Sequence, residues 1–176
     1  MNSHSALPNT LPSPVVSELA IRQVQPSDLP GIQNHLLRMS ADDRSLRFSA
    51  GVVKDDTIVA YVSSVRLDHD VVICLFNDHH KVVGLAHGCV YPVQSRLYVE
   101  AAFSIDAAWR GQGWGTRLMQ SVQVQARALG AKRVLGLCAV RNLPMRRVFE
   151  GAGMQLERLD DEIHAHCEPP ALAAVD

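Results

Sequence analysis

No uninterrupted apolar run among the 176 residues approaches the roughly 20 residues that a membrane-spanning helix needs. The first 17 residues contain prolines and serines, and they lack both the apolar core of a signal peptide and the arginines of a transit peptide. The chain length fits one domain. We therefore expect a flexible tail at 1–17, a single domain at 18–168 and a short tail at 169–176, in a cytoplasmic protein without a membrane partner.

Neither a disulfide framework nor a complete metal site is visible in the sequence. Four cysteines lie mostly in apolar, strand-like runs without close pairing: Cys74, Cys89, Cys138 and Cys167. We expect buried thiols in a reducing compartment. His164 and His166 occupy one face of a predicted strand, as two metal ligands do, but no second cluster of matching spacing exists unless His79 and His80 fold nearby. We expect no bound metal.

The formal net charge is only −1, which argues against general binding of nucleic acid. The charges are nevertheless segregated along the chain. Residues 107–149 contain eight lysines and arginines and no acid, whereas residues 150–168 contain six acids and only Arg158. The first segment suits a polyanionic ligand and the second a cationic one, although such blocks are also typical of solvated surfaces.

The hydrophobic periodicity predicts a strand, three helices, three strands, a helix, a strand, a helix and two final strands. In that order they are expected at 20–24, 27–39, 40–48, 55–65, 71–76, 82–91, 97–105, 113–130, 134–140, 142–151, 154–159 and 163–167. Ser27, Ser40 and Asn142 are the expected helix caps. The short connections predict a meander of antiparallel strands, and the strands on either side of the long helix should be parallel.

A glycine-rich stretch, which we call the glycine loop, joins a strand to the long helix at 110–116 with the sequence Arg-Gly-Gln-Gly-Trp-Gly-Thr. Glycines at alternate positions let the backbone approach an anion, and the helix start offers unpaired N–H groups. A nucleotide-triphosphate loop needs Gly-Lys-Ser/Thr, and no lysine is near Gly115. A dinucleotide fingerprint follows the first strand of a parallel sheet, whereas this loop follows antiparallel-type strands past the middle of the chain.

Two motifs resemble those of the GNAT family of N-acetyltransferases. Arg110, Gly113 and Gly115 match the cofactor motif Gln/Arg-x-x-Gly-x-Gly/Ala, and the strand pattern Phe-Ser-Ile at 103–105 lies correctly ahead of it. An Asn followed by a helix that ends in Gly-Phe is the second motif, matched by residues 142–154, where Met replaces Phe. The two motifs have their usual separation, which makes the resemblance specific.

The resemblance covers about residues 20–167. It implies an α/β (α+β) fold with a mixed, mostly antiparallel sheet of about six or seven strands, about four or five flanking helices and a cofactor site at a splayed parallel strand pair. It also implies an N-acetyltransferase with acetyl-CoA as co-substrate and a primary amine as acceptor, either a small molecule or a protein lysine. Homodimers are frequent in this family, and no nucleic acid is expected as partner.

The resemblance also implies cofactor contacts. The backbone of Phe103, Ser104 and Ile105 would pair with the pantetheine arm as an added strand does, and an N–H near Phe103 would polarise the thioester carbonyl. Backbone N–H groups of the glycine loop would hold the pyrophosphate. The loop residues assigned to the cofactor are Arg110, Gly111, Gln112, Gly113, Trp114, Gly115 and Thr116. The motif residue Asn142 is assigned to the same site.

Glu100 is the candidate catalytic residue. It is the one acid of an otherwise apolar strand, where an unpaired carboxylate is costly to bury, and a carboxylate can take the proton of an attacking ammonium. The register Glu-x-x-Phe-x-Ile and the Leu-Arg-Phe segment at 46–48 resemble the branch with bacterial protein-lysine acetyltransferases, in which a glutamate on this strand is the base. A Glu on a solvated edge, or one paired with an arginine, remains an alternative.

Protonation of the departing thiolate is not assigned by the sequence. In many family members a tyrosine on the second-motif helix does this, and Phe149 occupies that position. Water, Tyr91 or Tyr98 are the remaining candidates. The missing tyrosine also leaves a second function open, a non-catalytic coenzyme A-binding sensor or regulatory domain.

Overall fold

A computed structural model describes residues 19–169 and contains seven β-strands and five α-helices. The strands are β1 Ala20–Gln23, β2 Val71–Phe76, β3 Val82–Val93, β4 Arg96–Ile105, β5 Arg133–Ala139, β6 Gln155–Leu159 and β7 Glu162–Cys167. The helices are α1 Leu29–Leu37, α2 Ala41–Phe48, α3 Asp55–Ser63, α4 Trp114–Ala128 and α5 Leu143–Gly151. The tails expected at 1–17 and 169–176 lie outside the described residues, except for Pro169, which is buried.

All strands form one sheet in the order β1-β2-β3-β4-β5-β7-β6. Neighbours are antiparallel except for the parallel pair β4 and β5, which pairs only at Tyr98 with Arg133, Val99 with Val134, and Glu100 with Leu135. Residues 101–105 of β4 and 136–139 of β5 continue without pairing with each other. The mostly antiparallel sheet and the splayed parallel pair are thereby confirmed.

Each face of the sheet is covered by its own helices. On one face, α4 and α5 bury Leu118, Met119, Val122 and Phe149, each with 0 % exposure. On the other face, α1 and α3 bury a second cluster that includes Ile32, Leu36 and Ile58. We call these the α4–α5 face and the α1–α3 face. Burial of these apolar stripes is what holds the helices to the sheet.

Local signals explain most element ends. Ser40 caps α2 by accepting from Asp43 N–H, and Asn142 caps α5 by accepting from Met145 N–H, as expected. Ser27 does not cap α1, because residues 26–28 form a separate 3₁₀ turn and α1 begins at Leu29. The turn between β3 and β4 has only two residues, Gln94 and Ser95, whose φ values are 46° and 63°.

The cysteines differ from the expectation of uniform burial. Cys74 and Cys138 are buried and Cys167 is half-buried, but Cys89 is exposed. All four are free thiols. None of the helices in the part of the chain that the structure covers has the length and apolar character required to cross a membrane.

Candidate active site

The glycine loop leaves β4 and opens α4 with two residues in the left-handed region. Gly111 has φ +73° and Gly113 has φ +82°, and no atom lies within 4 Å of a Cβ placed on either. Backbone conformation therefore explains these two glycines. Gly115 has a different reason, because its Cβ would lie 2.7 Å from Val148 Cγ2 of α5. Gly115 allows α4 and α5 to pack closely.

The backbone of the loop is a row of unused donors. Within residues 19–169, none of the N–H groups of residues 111–116 donates to a backbone carbonyl, and the first such bond of α4 runs from Arg117 N–H to Gly113 O. No side chain caps α4. Unpaired N–H groups and the positive end of the helix dipole favour an anion at this point.

Two cations lie beside this row of donors. The Arg117 guanidinium stacks on Trp114 at 4.8 Å from the ring centroid. Arg110 is 44 % exposed, but its Nη2 contacts Asp43 Oδ2 of α2 at 2.9 Å and its Nε donates to Ile105 O at 2.8 Å. Burial raises the pKa of Asp43, but hydrogen bonds from Arg110 and Ser40 outweigh it and hold that pKa below its usual range. Arg110 therefore joins the loop to α2 and to the end of β4.

Three further residues assigned to the cofactor already have local side-chain partners. Ser104 Oγ lies 2.8 Å from His35 Nε2 and is buried beneath α1. The Asn142 side chain caps α5, and Gln112 Nε2 donates to Ala108 O at 3.3 Å. The Asn142 backbone is also engaged, because its N–H donates to Ala139 O and its carbonyl accepts from Arg146 N–H. By contrast, residues 101–105 have no strand partner on the edge facing β5.

Glu100 is the last residue of β4 that pairs with β5. Its side chain is exposed, as in the alternative of a Glu on a solvated edge, and is not a buried carboxylate. It points to the α1–α3 face, because Val99 and Ala101 on either side of it are buried under α4 and strand side chains alternate. Glu100 lies opposite Cys89 of β3. None of the ion pairs found in residues 19–169 includes Glu100.

A cavity of about 310 Å³ opens beside Glu100 on the surface of β5, β7 and β6. Its lining comprises Glu100, Arg133, Leu135, Gly136, Leu137, Glu157, Leu159, His164, Ala165 and His166. It thus combines apolar side chains with two carboxylates, two imidazoles and the Arg133 guanidinium. A larger cavity of about 440 Å³ lies at the end of β7 around Gln155 and Glu168, and includes neither Glu100 nor the glycine loop.

On the α1–α3 face, a buried hydrogen-bond chain runs beneath Cys89. Tyr61 Oη of α3 lies 2.5 Å from His87 Nδ1, and His87 Nε2 lies 3.4 Å from Asp70 Oδ2. Asp70 Oδ1 also accepts from Val90 N–H at 3.2 Å. Burial lowers the pKa of His87, although the Asp70 carboxylate opposes this. This arrangement fits a neutral imidazole that accepts from the phenol and donates to the carboxylate.

A second network, of which His35 is the buried member, ties α1 to the chain just before the glycine loop. His35 Nδ1 lies 2.8 Å from Asp106 Oδ1, and Arg38 donates to Asp106 Oδ2 from Nε at 3.0 Å and from Nη2 at 2.8 Å. Burial raises the pKa of Asp106, but the bonds from His35 and Arg38 hold it below its usual range. The network fixes the end of β4 where the loop begins.

The residues considered for protonation of the departing thiolate differ in burial and position. Phe149 is fully buried, and a Cβ on Gly136 of β5 would lie 2.4 Å from its ring. Tyr91 and Tyr98 stack with ring centroids 6.2 Å apart and form the second residue pair along β3 and β4 from Glu100. Burial raises the pKa of Tyr91, and the Glu100 carboxylate raises it further.

Sequence reasoning missed His35, His87, Asp70, Asp106 and Tyr61. Each is a single polar residue whose partners are distant in sequence, such as His35 and Ser104, which are 69 positions apart. Among residues 19–169, no three His, Cys, Asp or Glu side chains form a group that could hold a metal ion.

Comparison with known proteins agrees with this architecture. The model of the acetyltransferase (GNAT) family matches residues 17–154, so the chain belongs to the GNAT family. Similar solved structures include the GNAT domain of S. lividans PAT, with TM-score 0.70, 16 % identity and coverage of 84 % of this chain and 89 % of that chain. Spermidine N-acetyltransferase from Vibrio cholerae, in complex with CoA and spermine, has TM-score 0.67 and 16 % identity, and 86 % and 95 % of the two chains are covered.

Another similar structure is yncA from Salmonella typhimurium with its cofactor acetyl-CoA. It has TM-score 0.67 and 19 % identity, and the match covers 91 % of this chain and 99 % of that chain. At these identities the likeness shows the fold alone.

Proposed function

We propose that this protein is an acetyl-CoA-dependent N-acetyltransferase that moves the acetyl group to a primary amine by direct attack in a ternary complex. The observation that carries the proposal is the row of unused N–H donors at residues 111–116 beside the unpaired edge of β4. A pyrophosphate fits the first feature and an extended pantetheine arm fits the second. Two of the similar structures contain CoA or acetyl-CoA.

Glu100 is the proposed general base. It lies where β4 and β5 separate, and its carboxylate is exposed next to the cavity on β5, β7 and β6. The acceptor ammonium would lose a proton to Glu100, directly or through one water, and the free amine would attack the thioester carbon. A backbone N–H near Phe103 would stabilise the oxyanion.

Collapse of the tetrahedral intermediate would break the carbon–sulfur bond and release the thiolate. The proposed proton source for the thiolate is water. Phe149 has no proton to give and is fully buried against Gly136. The acetylated amine and free coenzyme A are the products, and Glu100 returns its proton to solvent.

The second candidate function is a coenzyme A-binding sensor without turnover, which the phenylalanine at position 149 favours. The two are separated by mixing the protein with acetyl-CoA and a panel of amines and following free thiol. We expect thiol release that depends on an amine and matches the acetylated product formed. Binding of acetyl-CoA without thiol release from any amine would favour the sensor.

A further inference from the structure

Arg47 of α2 differs from the other arginines on the α1–α3 side of the molecule. Arg38 pairs with Asp106, Arg44 with Asp55, and Arg66 with Asp70. The ion pairs found in residues 19–169 do not include Arg47. The Arg47 side chain is half-buried, so its charge is partly withdrawn from water without a carboxylate to balance it.

Neutral groups hold the Arg47 guanidinium in place. Its Nη2 donates to Tyr61 Oη at 2.7 Å, and its Cζ lies 5.2 Å from the Phe48 ring centroid and 5.3 Å from that of Tyr61. Arg47 Nε is buried and has no hydrogen-bond partner in the described part of the chain. Aromatic faces and a phenol orient a guanidinium but leave its positive charge available to an anion.

Contacts lead from the Arg47 guanidinium and from Glu100 to the same exposed residue of β3, Cys89. Glu100 lies directly opposite Cys89, so their Cβ atoms are roughly 5 Å apart. Cys89 Sγ lies 3.8 Å from His87 Nε2, and His87 is joined to Arg47 through the Tyr61 phenol. The pKa of the Cys89 thiol reflects both charges: burial and Asp70 raise it, Arg47 lowers it, and Glu100 raises it.

Near Cys89, residues 19–169 thus present a cation and an anion that form no ion pair with each other or with other described residues. Such a pair of charges is complementary to a ligand that carries both. We propose that the acceptor is a small zwitterion, an amino acid whose amine approaches Glu100 and whose carboxylate is bound by Arg47. This inference rests on the proposed function and names the substrate class of the same site. A polyamine or a lysine within a peptide supplies no such carboxylate at the reacting residue, so either would leave Arg47 unpaired.

The test uses acceptor pairs that differ only in the carboxylate: an amino acid and its primary amide, and an ω-amino acid and the corresponding alkylamine. Free thiol is followed with saturating acetyl-CoA. We expect kcat/KM to be at least about tenfold higher for the carboxylated member of each pair, as charge-assisted hydrogen bonds are stronger than neutral ones. Equal use of both members, or better use of spermidine or a lysine peptide, would overturn the proposal.

Variants of Arg47 test whether the preference for carboxylated acceptors depends on its guanidinium. Arg47→Gln should raise KM for the carboxylated acceptors about tenfold or more, while their kcat, the KM for acetyl-CoA and the rates with the amides stay within about twofold. Arg47→Lys should retain much of the preference because it keeps the charge. Lys54→Gln is the matched control, since it removes the same charge from an exposed position between α2 and α3 and should change nothing. An equal loss with both members of a pair in Arg47→Gln would show a purely structural role.

Failure of this inference is distinguishable from failure of the proposed function. If no amine releases thiol, the proposed function is wrong, and the inference is tested instead by calorimetry on the coenzyme A complex. Tighter binding of the amino acid than of its amide supports it, and equal binding of the two overturns it. If Arg47→Gln does not fold, the comparison within acceptor pairs on the wild-type protein still decides.

Discussion

The two sides of β4 use different parts of the chain to prepare a site. Beyond Glu100, the edge facing β5 and the glycine loop offer backbone groups, and the N–H donors at residues 111–116 have no backbone partner within residues 19–169. The α1–α3 face offers side chains held by buried networks around His35 and His87. Backbone groups suit a ligand common to a whole family, whereas side chains suit a ligand that differs between members.

This difference decides how much the sequence could predict. The glycine loop was predicted because its causes are local: glycines at positive φ, a helix start and a preceding strand. The order of helices and strands followed from periodicity for the same reason. The splayed pair was expected from the family resemblance and is visible in the register of β4 and β5.

The α1–α3 face was not predictable in the same way. Its networks join residues far apart in sequence, such as Tyr61 with His87 and Arg110 with Asp43, and a lone histidine in an apolar strand carries no local signal. The face of Glu100 was also undecided, because a strand pattern does not say which side is covered by which helices. The structure shows that Glu100 lies opposite Cys89, points to the α1–α3 face and is exposed there.

The largest effect is expected from a change to the glycine loop, where the site consists of backbone groups. Gly113→Val should reduce acetyl-CoA affinity beyond detection by calorimetry, because a branched Cβ strains φ +82° and would fill the space proposed for the pyrophosphate. Gly130→Val is the matched control, since Gly130 has φ +76°, an equally open surrounding and a place at the other end of α4. Both variants should lose about 1–2 kcal/mol of stability, and only the first should lose binding. Normal binding by Gly113→Val would rule out this role of the loop.

A smaller effect is expected from a change to Asp106, which joins α1 to the chain at the end of β4. Asp106→Asn should lower the free energy of unfolding by about 1–3 kcal/mol at pH 7, because His35 and Arg38 lose a charged acceptor. The pKa of Asp106 is lowered in the folded state, so its contribution is present above the unfolded value of about 4 and is lost as the pH falls through the folded value.

Denaturant unfolding of wild type and Asp106→Asn at pH 7 and at about pH 3 checks this dependence. The difference between the two proteins should shrink at the lower pH. Asp68→Asn, at an exposed position, should stay within about 0.5 kcal/mol of wild type at both. A difference for Asp106→Asn that does not change with pH would contradict the assignment.

The smallest effect is expected from a change to Tyr61, in the hydrogen-bond chain that joins Arg47 to His87. Tyr61→Phe keeps the ring but removes the hydroxyl between Arg47 and His87, and should cost about 1 kcal/mol of stability. Affinity for acetyl-CoA should not change, because the proposed acetyl-CoA site lies on the other side of β4. Tyr98→Phe, which keeps the stack with Tyr91, should leave stability within about 0.5 kcal/mol. A large loss of acetyl-CoA affinity in Tyr61→Phe would contradict the proposal that acetyl-CoA binds independently of the side chains on the α1–α3 face.

The most direct test of amine acetylation with Glu100 as base is the rate of thiol release by Glu100→Gln. The amide keeps the shape of the side chain but cannot take the ammonium proton. The rate should therefore fall by roughly two or more orders of magnitude while calorimetry shows unchanged acetyl-CoA binding. Glu150→Gln, at the exposed end of α5, should behave as wild type. An unchanged rate in Glu100→Gln would contradict the account.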